Sequence, residues 1–260
     1  EAYTLANGDQ TFTLGAVGQN VTTGSGDVTI NAAGTLTGTL NGTSGGTVTL
    51  NLTGASVLTG ATLTAIDAIS LASSATATMT VAQNLTISTA AGSNTVTLSD
   101  SGSTDATGNA NVAAYVLGDG DQTFTLGAAG QNVTTGSGTV TINASGTLVG
   151  TLNGTNSTTT LNITADSDIR GVTLTSIEAI TLAAGVDITA TRAIADLITT
   201  ASGTNIVTLT DAGALTGKAQ VETYVLAGGD QTFTLGAVGQ NVTTGSGDVT
   251  INAAGTPVSY

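Results

Sequence analysis

The sequence predicts an all-β protein, and within that class a β-solenoid (a parallel β-helix or β-roll) in units of about 110 residues. Three observations carry this. The stretch Asp9 to Thr35, DQTFTLGAVGQNVTTGSGDVTINAAGT, returns unchanged from Asp230 to Thr256. It returns from Asp121 to Thr147 with Ala129, Thr139 and Ser145 standing where Val17, Asp27 and Ala33 were. Short apolar-alternating segments recur every eight to ten residues or so, each bounded by Gly, Asn or Ser, which is the rhythm of regular short strands. And the core must be thin: the 260 residues hold no Trp, one Pro and 3% aromatics, where an ordinary core leans on bulky rings.

Taken in order, Tyr3 to Leu5 reads as a short strand and Asn7-Gly8-Asp9 as a turn. Thr11-Phe12-Thr13-Leu14 alternates polar and apolar, the period-2 mark of a half-buried strand. Asn20-Val21-Thr22 and Val28-Thr29-Ile30 repeat the pattern between glycines, and Leu36, Leu40, Val48, Leu50 and Leu52 continue it. On stacked coils about 4.8 Å apart, Phe12, Leu14, Val28 and Ile30 are expected to point inward, and Thr11, Thr13 and Thr29 outward. The same reading places Phe124 and Phe233 at equivalent buried positions, with Leu126 and Leu235 beside them. Threonine suits an outward strand face because it is β-branched and its hydroxyl tolerates water.

The middle of the unit is duplicated too. Ile66 to Leu71 matches Ile177 to Leu182, and Val96 to Asp100 matches Val207 to Asp211, each at an offset of 111. Tyr3, Tyr115 and Tyr224 precede the three copies of the opening stretch. The repeats divide the chain into unit 1 (3–114), unit 2 (115–223) and a partial unit 3 (224–260). A tandem array of β-sandwich domains of roughly 100 residues is the alternative. Helix is expected to be scarce, with Ala190 to Thr199, Gly108 to Ala114 and Lys218 to Glu222 the best candidates.

Charge narrows the function. The net charge is −14, with Arg170, Arg192 and Lys218 the three positive residues. This argues against nucleic acid and anionic membrane surfaces, both of which need Lys and Arg; no apolar run approaches the ~18 residues of a membrane span, so membrane insertion is not expected. Acid excess fits cation binding or, more simply, keeps a repetitive β-protein soluble. Without His or Cys the usual nucleophile–base pairs are missing, so the chain is read as non-catalytic. Arg170 and Arg192 stand where the other repeat has Thr59 and Val81, and read as surface residues whose stems snorkel.

The glycine–aspartate turns remain as sites for chemistry. Gly118-Asp119-Gly120-Asp121-Gln122-Thr123-Phe124 and Gly24-Ser25-Gly26-Asp27-Val28-Thr29-Ile30 both resemble the calcium-binding nonapeptide G-G-x-G-x-D-x-U-x. On these motifs and its overall rhythm the chain resembles the secreted repeats-in-toxin class and its relatives among bacterial surface-layer proteins and giant adhesins. The resemblance implies an extracellular or cell-surface location and Ca²⁺ held between coils. The motif departs from that pattern in having Gln122 and Val28 where the pattern has its aspartate, with Asp121 and Asp27 one place earlier, and the paired glycine occurs at Gly228-Gly229. Calcium needs six to eight oxygens. Asp27, Asp119 with Asp121, Asp100 with Asp105, and Asp166 with Asp168 are the candidate ligands; the same residues also read as ordinary polar turns.

Two functions follow as expectations. The first is a structural segment of a self-assembling surface layer, adhesin or filament. The second is a binding module for glycan, ice or a receptor through a flat face of Thr-x-Thr pairs such as Thr11/Thr13, Thr62/Thr64 and Thr208/Thr210. The chain opens on Glu1 with no signal peptide, and reads as a mature product or part of something longer. Glu1-Ala2-Tyr3 aligns with Glu222-Thr223-Tyr224, and Pro257 stands where Leu36 stood. On this reading, open strand edges are expected to pair with another chain and self-associate.

Overall fold

A computed structural model gives the architecture, and describes residues 1–43, 45–155 and 157–253. The protein is a β-solenoid of about 13 turns with almost no helix. Its residues group into two compact units: one comprises Glu1–Asp121 with Gln131–Ser137, the other Gln122–Gly130 with Gly138–Tyr260. All strand pairings described within the units are parallel, which rules out the antiparallel sandwich alternative. Pro257 lies outside the described residues.

In the first unit the strands stack in three rows, the second and third joined through Val48–Val57 into one sheet. One is built from Ala2–Thr4, Asn20–Thr22, Thr39–Asn41 and Thr62–Thr64. The next runs through Gln10–Thr13, Val28–Thr35, Val48–Val57, Ala68–Leu71 and Ile87–Ala90. The third starts from the end of Val48–Val57 and continues through Thr76–Met79, Thr95–Leu98, Ala114–Val116 and Asn132–Thr134. Long strands serve two rows by bending: the register of Val28–Thr35 on Val48–Val57 shifts between Ala32 and Gly34, and Gly34 has φ +81°, a left-handed value that favours glycine.

The second unit repeats the plan. Gln122–Thr125, Gly138–Thr147, Ser157–Asp168, Ala179–Leu182 and Ile198–Ala201 pair in succession. The end of Ser157–Asp168 leads into Ile188–Ala190, Ile206–Leu209, Thr223–Val225 and Asn241–Thr243. Thr151–Asn153 pairs with Thr173–Thr175, and Gln231–Thr234 pairs with Ala214–Thr216 on one side and Val249–Asn252 on the other.

The structural repeat is the coil. Aligned residues lie between 17 positions apart, as in Ile206 and Thr223, and 23 apart, as in Thr39 and Thr62. Side chains at one register stack into rows. Ile30, Leu50, Ile69 and Ile87 form one buried row, and Phe124, Ile142, Leu161, Ile180 and Ile198 another. Each such side chain removes apolar area worth about 25 cal/mol per Å², so long thin rows of Ile, Leu and Val replace the usual aromatic core.

Two of the three inward phenylalanines are buried as the alternation predicts. Phe124 and Phe233 are 0% and 1% exposed; Phe12 is half-buried, because its strand has a described neighbour on one side only, Val28–Thr35. Val28 and Ile30 are buried, Thr11 and Thr13 exposed and Thr29 half-buried. The expectation fails for Leu14, Leu126 and Leu235, which are half-buried. They continue the backbone ladder, as Leu14 N–H donates to Asn31 O at 2.9 Å. They lie just past the strands Gln10–Thr13, Gln122–Thr125 and Gln231–Thr234, where the chain is already leaving the core row.

Among the described residues there are two helical turns, Val81–Asn84 and Arg192–Ala195. The second falls inside the expected 190–199 segment. The first was not expected, although Thr80 and Gln83 form a capping box: Gln83 N–H donates to Thr80 Oγ1 at 3.2 Å, and Thr80 N–H to Gln83 Oε1 at 2.9 Å. The other two candidates, 108–114 and 218–222, are not helical. They are turns held from inside by tyrosine hydroxyls, described below.

Sequence repeat and coil are not commensurate. Tyr3 and Tyr115, which occupy the same place in the sequence repeat, lie in different sheets of the first unit. Phe124 and Phe233 lie in different sheets of the second. Their immediate register is nonetheless conserved: Tyr3 pairs with Val21, Tyr115 with Val133 and Tyr224 with Val242.

Candidate functional site

The acidic residues are distributed along the turns, and their carboxylates bond chiefly to backbone amides of the adjoining coil. Asp9 Oδ1 accepts Asp27 N–H at 3.0 Å, and Asp27 Oδ1 in turn accepts Thr47 N–H at 2.8 Å. Asp230 Oδ1 repeats the first bond on Asp248 at 3.0 Å. Asp166 Oδ1 takes Asp187 N–H at 2.9 Å, and Asp187 Oδ1 takes Ile206 N–H at 2.8 Å. Others reach back one coil: Asp67 to Val48 (2.7 Å), Asp100 to Val81 (2.7 Å), Glu178 to Thr159 (2.6 Å) and Asp211 to Arg192 (2.7 Å). A turn between strands leaves N–H groups outside the ladder, and a carboxylate is a strong acceptor for them.

Each predicted ligand has a definite place in this scheme. Asp27, Asp100 and Asp166 accept the amides just named. Asp119 Oδ1 accepts both Ser137 N–H at 2.8 Å and Ser137 Oγ at 2.9 Å; these bonds hold its carboxyl below the usual carboxylate range. Asp121 is exposed, and its backbone O accepts Thr104 N–H at 3.2 Å. Asp105 is exposed on Thr104–Thr107. Asp168 pairs with Arg170, whose Nε lies 2.9 Å from Asp168 Oδ2. Among the described residues no three acidic side chains gather into a group suited to a metal ion.

Glycine permits these turns to stack. At Gly26, φ is +109° and a Cβ would lie 2.5 Å from Gly8 C. At Gly247, φ is +107° and a Cβ would lie 2.6 Å from Gly229 C. Successive turns meet backbone to backbone, which leaves no room for a side chain.

The cations are also engaged. Arg192 Nε is 3.2 Å from Asp211 Oδ2 and its Nη1 donates to Ala214 O at 3.0 Å; Lys218 Nζ is 2.7 Å from Asp196 Oδ1. Exposed pairs of this kind contribute little stability, about 0–1 kcal/mol each, but they leave these three cations paired with the chain's own carboxylates.

Carboxamides and phenols hold the inner corners, a role sequence reasoning missed. Asn94 Nδ2 donates to Ala72 O and Ala75 O, at 2.6 and 3.3 Å. Asn205 Nδ2 does the same to Ala183 O and Val186 O at 3.1 and 2.7 Å. Gln131 Nε2 bridges Asn109 O and Val112 O, and Gln240 Nε2 bridges Lys218 O and Val221 O. In every case the two acceptors lie 22 and 19 residues earlier. Tyr115 Oη accepts Asn109 N–H at 2.7 Å and donates to Asn84 Oδ1 at 2.8 Å; Tyr224 Oη accepts Lys218 N–H at 2.8 Å. Burial pushes both phenols up to about 12.

On the outside, threonine and asparagine form hydrogen-bonded rows. Asn51 Nδ2 donates to Asn31 Oδ1 at 2.8 Å; in the second unit Asn162 Nδ2 donates to Asn143 Oδ1 at 2.9 Å and Thr181 Oγ1 to Asn162 Oδ1 at 2.8 Å. Asn252 Nδ2 of the last copy lies 3.4 Å from Thr234 Oγ1, as Asn143 Nδ2 lies 3.3 Å from Thr125 Oγ1, on a different sheet of that unit. A cavity of about 220 Å³ beside Gln19, between Leu14 and Leu40, is lined by small and apolar residues with Thr35 and Thr37, and holds no titratable group.

No protein-family model matches the chain, and comparison with curated proteins and with solved structures returns no match.

Proposed function

We propose that the chain is a non-catalytic structural segment of an extracellular, self-assembling β-solenoid, lengthened by tandem copies of its 110-residue sequence unit. The observation that carries this reading is the preserved pairing of the opening stretch. Phe12 pairs with Ile30, Phe124 with Ile142 and Phe233 with Ile251, each 18 residues apart. The neighbouring tyrosine–valine pairs keep the same register. A strand that accepts the same partner in the same register three times is a surface on which a further copy pairs equally well, through backbone hydrogen bonds. A contact of that type is head-to-tail and propagates without closing.

The chemistry of the side chains supports the same conclusion. The acids serve backbone amides, the cations serve acids, and the carboxamides serve backbone carbonyls, so the polar groups are spent on holding coils together. On this reading the negative charge keeps lateral faces apart while end-to-end growth proceeds. Light scattering over increasing concentrations of the 260-residue chain tests the proposal. Growth into elongated particles is the expected result; a monomer at every concentration contradicts it.

A further inference from the structure

Two buried oxygens stand apart from the otherwise saturated corners. Asn94 and Asn205 are both 0% exposed, and both use Nδ2 for two backbone carbonyls. Among the described residues Oδ1 of each has no hydrogen-bond partner. They occupy equivalent places 111 residues apart, so the feature occurs independently in each compact unit.

The glutamine corners provide an internal comparison. Gln240 Nε2 makes the same double bond to carbonyls, yet its Oε1 accepts Gly236 N–H at 2.6 Å. Gln19 Oε1 likewise accepts Gly15 N–H at 2.8 Å. Glutamine is one methylene longer, so its oxygen reaches the turn four residues back while its nitrogen keeps the carbonyls. Asparagine makes the carbonyl bonds alone. A buried carbonyl oxygen with no donor is unfavourable, and the opposite choice of rotamer would set Oδ1 against two backbone carbonyls.

We propose that each of these corners binds one internal water molecule, which donates a hydrogen bond to Oδ1 of Asn94 or Asn205. Water is the chemical class that fits. The acceptor needs a small neutral donor; Ala72 O, Ala75 O and Ala183 O already accept two N–H groups each, so the water's other proton goes to a further acceptor, such as Gly92 O, which takes Asn94 N–H at 3.2 Å. In the second unit Glu222 Oε2, which accepts Asn205 N–H at 2.8 Å, adds an acceptor on that side. Buried waters of this kind make about three bonds and are part of the fold. The asparagine corners are therefore hydrated, and the glutamine corners complete without water.

The test is a crystal structure of the 260-residue chain at a resolution that shows ordered solvent, together with water–protein nuclear Overhauser spectra on chain carrying ¹⁵N-labelled asparagine. The expected result is a water peak within hydrogen-bond distance of both Oδ1 atoms. Bound-water cross-peaks to the Asn94 and Asn205 side-chain amides should accompany it. Finding both oxygens against carbon alone, or against a protein N–H, would overturn the proposal.

Discussion

Glu178 Oε2 accepts the backbone N–H of Thr159, 19 residues earlier, at 2.6 Å, and Asp67 Oδ2 does the same for Val48 at 2.7 Å. The two copies use different acids for one bond, so what is kept is an acceptor at that place in the coil. Replacing Glu178 by Ala strands a part-buried N–H and should cost about 1–3 kcal/mol. Glu178→Gln, which keeps an acceptor, should cost less. Urea denaturation decides: the alanine variant should have a lower midpoint with an unchanged slope, and equal midpoints for Ala and wild type would remove the bond from the account.

The tyrosine corners should respond unequally. Tyr115 bonds both Asn109 N–H and Asn84 Oδ1, whereas the residue matching Asn84 beside Tyr224 is Ala195. Tyr115→Phe leaves a donor and an acceptor stranded and should cost about 2 kcal/mol, against about 1 kcal/mol for Tyr224→Phe. The same urea experiment measures the difference, and a larger loss at Tyr224 would contradict it.

Stability should fall in alkali. Burial raises the Tyr115 and Tyr224 phenols from 10.0 to about 12, so the fold favours their neutral form. The stabilisation from that preference is complete below pH 10 and is lost as pH rises through about 12. Melting temperature followed from pH 9 to 12.5 should drop across that interval, in step with tyrosinate absorbance; a flat profile would contradict the buried placement. Asp119 has the opposite sign: its lowered carboxyl contributes stability above the ordinary carboxylate range, lost as pH falls through the lowered value.

Chelation separates two uses of the acidic turns. With Asp27, Asp100 and Asp166 already accepting backbone amides, excess chelator should leave the melting temperature unchanged. A fall of several degrees, restored by calcium, would assign the carboxylates to the ion instead.

Much of the fold can be read along the chain because period-2 alternation and glycine punctuation are local. Phe124, Phe233, Val28 and Ile30 are inside for that reason. Leu14 differs because burial at a strand end depends on where the coil bends, which alternation does not encode. The Val81–Asn84 turn did leave a signal, Thr80 with Gln83, hidden among many Thr-x-x-polar runs. The work of Asp67, Asn94 and Glu178 was invisible because each partner lies about one coil away, and coil length appears only once strands are paired. The 110-residue sequence unit obscured that length, since it returns equivalent residues such as Tyr3 and Tyr115 to different sheets.

X-ray fibre diffraction from concentrated, aligned protein tests the central claim most directly, that these coils propagate from chain to chain. The account predicts a sharp reflection near 4.8 Å along the long axis of the particles, the spacing of stacked parallel strands. Particles that stay one chain long, with no such axial order, would contradict it.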